Sequence, residues 1–276
     1  MVKVSKTFPL NFLIAGTMKS GTSSLSYILD KHPDISLPDR ELHYFDRNFE
    51  KGQNWYRSEL LKKGEQFRFF GEKTPDYALE DSFADEIQNL NPNVKLVWIF
   101  RNPAKRAFSH YLHNVRSGRE NKPFWEALDL GTSRKDKIYD YRGGSNYPEM
   151  IRRYAKRFPV ENMYYLTFED FVASPEQEVQ KVLAFLGAKP VQDFEYASHR
   201  HKTLMPRYPG LLYFTRQYIG YESRIWNRVY RFANAPSRVT EPPKIPTETY
   251  TQLQHEFENQ VEDLKKLTSL DLSVWT

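Results

Sequence analysis

The chain has 276 residues, of which 39% are hydrophobic and 27% are charged, and it contains 18 Tyr, 19 Phe and no Cys. This composition excludes a disordered chain and, because cysteine is absent, it excludes disulfides, thiolate metal sites and cysteine nucleophiles. The net charge of +5 is too small to indicate a nucleic-acid surface, but it is consistent with an anionic ligand.

Short apolar runs alternate with helical patterns along the chain. The predicted strands are residues 12–15, 67–72, 94–100 and 163–168. The predicted helices are residues 24–31, 82–90, 105–116, 175–186 and 247–267. This alternation implies an α/β fold with a central parallel sheet flanked by helices, in which ligands bind outside the carboxyl ends of the strands. We expect Trp98, inside the third run, to belong to the core.

The first predicted strand runs into a glycine-punctuated turn and a helix start, Gly16-Thr-Met-Lys-Ser-Gly-Thr-Ser-Ser24. Such a turn points backbone N–H groups and a helix N-terminus at one spot, which favours phosphate or sulfate binding. The spacing of Gly16 and Gly21 nearly matches the nucleotide-binding P-loop, but Lys19 lies inside the turn instead of directly after Gly21. This displacement argues against an ordinary ATPase or GTPase. The alternative is a plain strand-to-helix turn with a solvated lysine.

The segment Asp39-Arg-Glu-Leu-His-Tyr-Phe-Asp46 follows the first predicted helix. A carboxylate or imidazole close to a phosphate-binding loop can remove a proton from an attacking hydroxyl or amine, so Glu41 and His43 are candidates. A solvated loop anchored by its Tyr-Phe pair is the alternative. One histidine with flanking acids is a poor ligand set, and we therefore expect no metal.

Basic residues follow two further predicted strands. Lys73 can stabilise charge on a transferring group, or it is an ordinary surface lysine. Arg101 comes directly after the run 94–100, and Ser109 lies about two turns into the next helix, where the two can hold a second phosphate. The alternative is a structural ion pair for Arg101 and no ligand contact for Ser109.

Two segments carry no steady periodicity. Residues 117–146 are polar and glycine-spotted and predict a mobile surface segment, and residues 199–243 mix His, Arg, Pro and aromatic residues. The length fits one domain over residues 1–276. No segment reaches the roughly 18 apolar residues of a membrane span, so we expect a soluble, cytoplasmic protein without an integral membrane segment and without a nucleic-acid partner.

Taken together, these motifs resemble the sulfotransferases that use 3′-phosphoadenosine 5′-phosphosulfate (PAPS). Residues 16–24 are similar to the family's 5′-phosphosulfate loop, and residues 101–111 resemble its 3′-phosphate site. Residues 165–175, running on to Phe185-Leu-Gly187, and the closing pattern from Leu264 to Trp275 match further family signatures.

Within that family the closest likeness is to the heparan sulfate and related carbohydrate branch. Residues 40–46 resemble the branch's Lys-Glu-x-His-Phe-Phe-Asp segment, whose glutamate is the general base. Residues 72–77 resemble its Glu-Lys-Thr-Pro-x-Tyr motif. The family's nucleotide-covering loop is rich in lysine and glycine, whereas residues 199–207 lack that glycine.

The resemblance implies a sulfotransferase with a P-loop-like site, PAPS as co-substrate, PAP as product and no metal. Glu41 would take the proton from the acceptor as it attacks sulfur in line, His43 would assist, and Lys19 and Lys73 would stabilise the developing charge. The implied cofactor-binding residues are Lys19, Ser20, Gly21, Thr22, Ser23, Ser24, Arg101, Ser109, Lys202 and Arg207.

The acceptor is a hydroxyl or amine of a carbohydrate, or alternatively of a small natural product. Residues 117–146 and 199–243 would cover the acceptor and cofactor. Two rival functions remain open from the residues alone. One is a P-loop kinase, which would place a lysine directly after Gly21 and an acid at a strand end for magnesium. The other is a non-catalytic module that binds anionic ligands.

Overall fold

The computed structural model describes residues 8–131, 133–134, 136–191, 204–235 and 239–275. These residues form two compact units. The first unit comprises Met1–Arg101, Tyr147–Arg200 and Gln260–Thr276, and the second comprises Asn102–Asn146 and His201–Asn259. The expectation of one domain over the whole chain stays a prediction.

The first unit contains a five-stranded parallel sheet with the strand order β2-β3-β1-β4-β5. Its strands are β1 (Leu10–Gly16), β2 (Ile35–Ser36), β3 (Phe69–Lys73), β4 (Lys95–Phe100) and β5 (Met163–Thr167). In the second unit, β6 (Met205–Pro206) pairs antiparallel with β7 (Val239–Thr240). The predicted α/β fold with a central parallel sheet is therefore confirmed.

Twelve α-helices lie within the described residues. They are α1 (Thr22–Leu29), α2 (Tyr44–Arg47), α3 (Gly52–Leu60), α4 (Asp81–Leu90), α5 (Pro103–Arg116), α6 (Phe124–Gly131), α7 (Tyr147–Ala155), α8 (Phe168–Ala173), α9 (Pro175–Leu186), α10 (Pro209–Ile219), α11 (Arg224–Ala233) and α12 (Thr247–Thr268). Judged over the described residues, none combines the length and the apolar character that a membrane crossing requires.

The central strands are apolar throughout because the sheet is covered on both faces. In β1, Leu13 and Ala15 pack into one hydrophobic cluster, whereas Phe12 and Ile14 pack into a second one on the opposite face. Trp98 of β4 is fully buried in the first cluster, as predicted. Since β1 and β4 are neighbours, the segments that follow them leave the same edge of the sheet.

In the second unit, the described part of residues 117–146 is more buried than the sequence predicts. Helix α6 forms within them, and Tyr141 is fully buried. The cause is Arg106 of α5, which is itself buried and donates hydrogen bonds to Ser145 Oγ at 2.6 Å and to the Tyr141 carbonyl at 2.5 Å. A buried guanidinium needs hydrogen-bond acceptors in place of water, and residues 117–146 supply two of them.

Candidate active site

The loop between β1 and α1 is held against β4 by Thr17. Its backbone N–H donates to the Ile99 carbonyl at 2.8 Å. Its side-chain Oγ1 lies 2.7 Å from Ser20 Oγ in a buried hydrogen bond, and the Ser20 N–H donates to the Thr17 carbonyl at 3.2 Å. The observed bonds of Ser20 therefore shape the loop, and its predicted contact with a cofactor stays a prediction.

Gly21 sits where a side chain does not fit. Its φ is +94°, in the left-handed region, and a Cβ there would come within 2.8 Å of the Phe168 ring. Lys19 also adopts a left-handed conformation, with φ +71°. Helix α1 begins directly after this turn without a side-chain cap. The first N–H groups of an α-helix face its N-terminal end, which here is the turn. Such a turn suits an anion.

Arg101 lies at the carboxyl end of β4 and contacts the same loop. Its Nη1 donates to the Lys19 carbonyl at 3.2 Å, and its guanidinium lies 4.7 Å from the centre of the Phe168 ring. Its Nε is buried and finds no hydrogen-bond partner among the described residues. Burial lowers the pKa of Arg101, but an arginine stays charged at neutral pH. A buried cation with an unsatisfied donor indicates an anion site.

The three other predicted catalytic residues, Glu41, His43 and Lys73, form one hydrogen-bonded chain. Lys73 Nζ donates to Glu41 Oε1 at 2.6 Å and to Ser23 Oγ at 3.2 Å. His43 Nε2 lies 3.3 Å from Glu41 Oε2, and His43 Nδ1 lies 2.8 Å from Asp46 Oδ2. The structure thus brings these residues together with Ser23 in the first turn of α1.

The charged neighbours of Glu41 and His43 determine the protonation of both side chains. Burial alone would raise the pKa of Glu41, but the hydrogen bond from His43 and the charge of Lys73 outweigh it and lower that pKa to about 2. Burial alone would lower the pKa of His43, but Asp46 and Glu41 raise it to about 9. At neutral pH the pair is therefore a carboxylate and an imidazolium.

A possible set of metal ligands shares His43 with this hydrogen-bonded network. Ligand atoms of His43, Asp46 and Asp76 all lie within 4.8 Å of one another. A protonated imidazole has no lone pair for a metal, and the raised pKa of His43 favours that protonated form. The absence of a metal nevertheless stays a prediction.

A buried carboxyl group helps to hold the segment that carries Glu41 and His43. Glu72 of β3 is fully buried and accepts hydrogen bonds from Thr74 Oγ1 at 2.7 Å, from the Tyr77 hydroxyl at 2.9 Å and from the Tyr56 hydroxyl. Burial raises the pKa of Glu72. The sequence identifies Glu72 only as part of a motif, because its bond to Tyr56 depends on the folded position of α3.

Tyr77 connects this carboxyl to the segment that carries Glu41 and His43. Its hydroxyl oxygen accepts from the backbone N–H of Tyr44 at 2.6 Å, while its own proton goes to Glu72. His43 has a left-handed conformation, with φ +49°. We conclude that Glu72 and Tyr77 stabilise the turn that brings His43 and Glu41 close to Lys73.

Phe168, which was not among the predicted site residues, packs on Arg101 and leaves no room for a side chain at Gly21. The strand pattern could have identified Phe168 as a site residue. Phe168 directly follows β5, which is the neighbour of β4, and the residues after adjacent parallel strands meet at one edge of the sheet.

The positions of the other predicted site residues do not test their roles. Thr22 is buried at the start of α1, and Ser24 follows in its first turn. Ser109 is half-buried on α5, and Arg207 is exposed beside the Tyr208 ring, both in the second unit. Lys202 lies outside the described residues. Their roles stay predictions.

Three comparisons with known proteins bear on this site. A family model described as "Sulfotransferase domain" matches residues 9–204, which is more than half of the chain. The human heparan sulfate glucosamine 3-O-sulfotransferase 6 is 33% identical over 181 residues, covering 65% of this chain and 52% of that protein. The chain thus spans about half the length of the curated relatives it matches.

Solved structures give the same result for the fold. The crystal structure of a sulfotransferase from Alicyclobacillus acidocaldarius is similar with a TM-score of 0.72 and 25% identity, covering 96% of this chain and 98% of that one. Mouse sulfotransferase SULT7A1, solved in complex with PAP, has a TM-score of 0.51 and 16% identity, covering 94% and 90%. The second likeness concerns the fold alone.

Proposed function

Because the chain belongs to the sulfotransferase family, we propose that it transfers the sulfuryl group of PAPS to a hydroxyl or amine of an acceptor. One observation carries this proposal. The cation Lys73 bonds both to Glu41 and to Ser23 in the first turn of α1, so a proton acceptor and the helix start that follows the β1–α1 loop share one lysine.

The residues at the sheet edge fit the anionic groups of PAPS. The start of α1 offers backbone N–H groups, and Lys73 adds a positive charge beside Ser23. Arg101 keeps a buried Nε without a partner among the described residues, which suits a phosphate oxygen. A part for Ser109 in holding the 3′-phosphate stays a prediction from the sequence.

PAPS supplies an activated sulfuryl group, and the protein's own residues prepare the acceptor. Glu41 removes the proton from the acceptor hydroxyl or amine. Lys73 and Lys19 stabilise negative charge on the leaving side of the sulfuryl group. His43 orients the Glu41 carboxylate through Nε2, and Asp46 holds the imidazole through Nδ1.

Lys73 couples binding of the anion to activation of the base. A carboxylate with a pKa of about 2 is a weak proton acceptor, and the Lys73 charge contributes to that low pKa. Sulfuryl and phosphate oxygens compete with Glu41 for the Lys73 ammonium. When Lys73 turns from Glu41 toward the loop, the pKa of Glu41 rises toward its ordinary value and the carboxylate becomes a better base.

We further propose a carbohydrate acceptor. The support is the likeness over residues 40–46 and 72–77, together with relatives whose names specify heparan sulfate glucosamine. Glu41 and Lys73 lie in these two segments, at the reacting end of the site. From the sequence, residues 117–146 and 199–243 are expected to enclose the remainder of the acceptor.

The experiment is transfer of labelled sulfate from PAPS to a panel of heparan-type oligosaccharides and small alcohols, phenols and amines, with product identified by its mass shift. Glu41→Gln should lower kcat by about 100- to 10,000-fold, the usual range for loss of a general base. The matched control is Glu50→Gln, which changes an exposed glutamate in the same way. Full turnover by Glu41→Gln, or transfer of phosphate from ATP and none of sulfate, would overturn the proposal.

A further inference from the structure

Helices α10 and α11 form a hairpin whose inner side is apolar and packed. The connection between them is only residues 220–223. Leu212 of α10 packs with Trp226 and Ala233 of α11 in one buried cluster. The Arg216 guanidinium lies over the Trp226 ring at 5.7 Å. Because the inner side is buried in this contact, the opposite side of each helix faces solvent.

The outward side of α10 is apolar. Leu211, Phe214 and Tyr218 are 43%, 56% and 75% exposed, and their spacing of three and then four residues places them on one helical face. The Phe214 and Tyr218 rings lie 4.6 Å apart and form a continuous apolar stripe. Eight of the fifteen exposed large hydrophobic side chains among the described residues lie between Tyr208 and Phe232. Exposed apolar residues so concentrated indicate a binding surface.

The outward side of α11 combines positive charge with apolar side chains. Arg224, Arg228 and Arg231 are exposed and recur with helical spacing, and Ile225, next to the first of them, is 54% exposed. Arg228 and Arg231 line a shallow depression together with Val229 and Phe232. An anionic group seated there meets two guanidinium groups, while apolar surface lies directly beside it.

Charge in this segment is one-sided. Residues 204–235 contain five arginines, no lysine or aspartate, and Glu222 as the single acidic residue. A partner that complements such a surface carries negative charge above an apolar layer, which describes the interface of an anionic lipid bilayer. Aromatic side chains such as Phe214 and Tyr218 are also well suited to that interface.

We propose that the outer side of the α10–α11 hairpin docks the protein peripherally on an anionic membrane surface. Leu211, Phe214, Tyr218 and Ile225 enter the apolar boundary, and the α11 arginines bind lipid phosphates. Two other occupants fit less well. A polyanionic sugar chain would pair with the arginines but leave Leu211 and Ile225 without an apolar partner, and a second copy of this hairpin would set one arginine stripe against another.

The test is co-sedimentation of the full chain with vesicles of phosphatidylcholine alone and of phosphatidylcholine mixed with phosphatidylglycerol. We expect binding to the mixed vesicles that weakens as salt is raised, and much weaker binding to the neutral ones. Phe214→Ser with Tyr218→Ser should weaken binding at least about tenfold, and so should Arg228→Glu with Arg231→Glu.

Matched controls change an exposed hydrophobic side chain and two exposed positive charges outside the hairpin. Val160→Ser alters a side chain that is 70% exposed outside the hairpin, and Lys156→Glu with Lys266→Glu reverses two exposed charges. These variants should bind like the unmodified protein. Circular dichroism and thermal unfolding establish that every variant is folded, which we expect because the altered side chains lie on the surface.

Each other outcome counts against the proposal. Absence of vesicle binding overturns it, and so does binding that ignores lipid charge or that the control variants weaken equally. Binding of soluble heparin that the hairpin variants abolish, without vesicle binding, assigns the surface to a sugar chain. Self-association that Phe214→Ser with Tyr218→Ser reverses, again without vesicle binding, assigns it to a second copy.

Discussion

Replacing Gly21 by alanine tests how the β1–α1 loop is built. Gly21 has φ +94°, and a Cβ would lie 2.8 and 3.1 Å from two atoms of the Phe168 ring. The left-handed conformation costs an L-residue about 1–2 kcal/mol. Crowding of the ring adds about 1–3 kcal/mol, the usual range for overpacking. The restricted unfolded chain offsets part of this, so we expect a net loss of about 2–4 kcal/mol of unfolding free energy.

Gly187 provides the matched control. It has φ +81° at the end of α9, but a Cβ there meets no atom within 4 Å. Gly187→Ala therefore carries the conformational cost without the crowding, and we expect a loss of about 1 kcal/mol. The difference between the two variants isolates the contact with Phe168.

Chemical denaturation of the two variants and of Phe168→Ala, alone and combined with Gly21→Ala, measures these quantities. If the ring is the obstacle, Gly21→Ala costs less in the Phe168→Ala background, with a coupling free energy of about 1–3 kcal/mol. The Phe168 ring also packs on Arg101, so Gly21→Ala should weaken PAP binding as well. Obstruction by the Phe168 ring is excluded if Gly21→Ala costs no more than Gly187→Ala, or if the effects of Gly21→Ala and Phe168→Ala are additive.

The pKa of His43 is raised from 6.5 to about 9 in the folded chain, so the stabilisation it provides is complete below pH 6.5 and disappears as pH rises through 9. The unfolding free energies of the unmodified protein and of His43→Gln should therefore converge between about pH 6 and about pH 10, and a constant difference would contradict this. Tyr77→Phe should cost about 1–3 kcal/mol in denaturant melts, because it leaves the Tyr44 N–H without its acceptor and removes one of the two hydrogen bonds that Glu72 Oε1 accepts; an unchanged midpoint would show that the Tyr77 hydroxyl contributes nothing. Arg106→Met should cost at least as much, since the buried Ser145 hydroxyl and Tyr141 carbonyl lose a charged donor; a neutral effect would argue against the observed packing.

The sequence predicts those parts of the fold in which one local pattern decides the structure. Helix α9 has the predicted bounds, because Pro175 begins it, Gly187 ends it and its apolar residues recur with helical spacing. Helices α10 and α11 were not predicted. Both expose apolar residues on the outward side as well as burying them on the inward side, and this obscures the periodicity that indicates a helix. The pair Ile35–Ser36 is too short to show any pattern as a strand.

The candidate site was predictable to the extent that it follows from sheet topology. Arg101 comes directly after a predicted parallel strand, and its contact with Lys19 follows because the ends of β1 and β4 are neighbours. The bond from Lys73 to Glu41 was not predictable, since it depends on how two long side chains fold back from separate segments. The same is true of Tyr56, which reaches Glu72 only once α3 has packed.

We propose that the β1–α1 loop and Arg101 bind a nucleotide of the PAPS type, and calorimetric titration with PAP measures this binding directly. In a buffer with a chelator, we predict saturable binding of one PAP per chain. Arg101→Met should weaken this binding by about 10- to 100-fold, the range for a lost charged hydrogen bond, whereas Arg152→Met, a change on helix α7, should leave it unaffected. Failure of the unmodified protein to bind PAP, or equal affinity in Arg101→Met, would contradict a PAPS site at this loop.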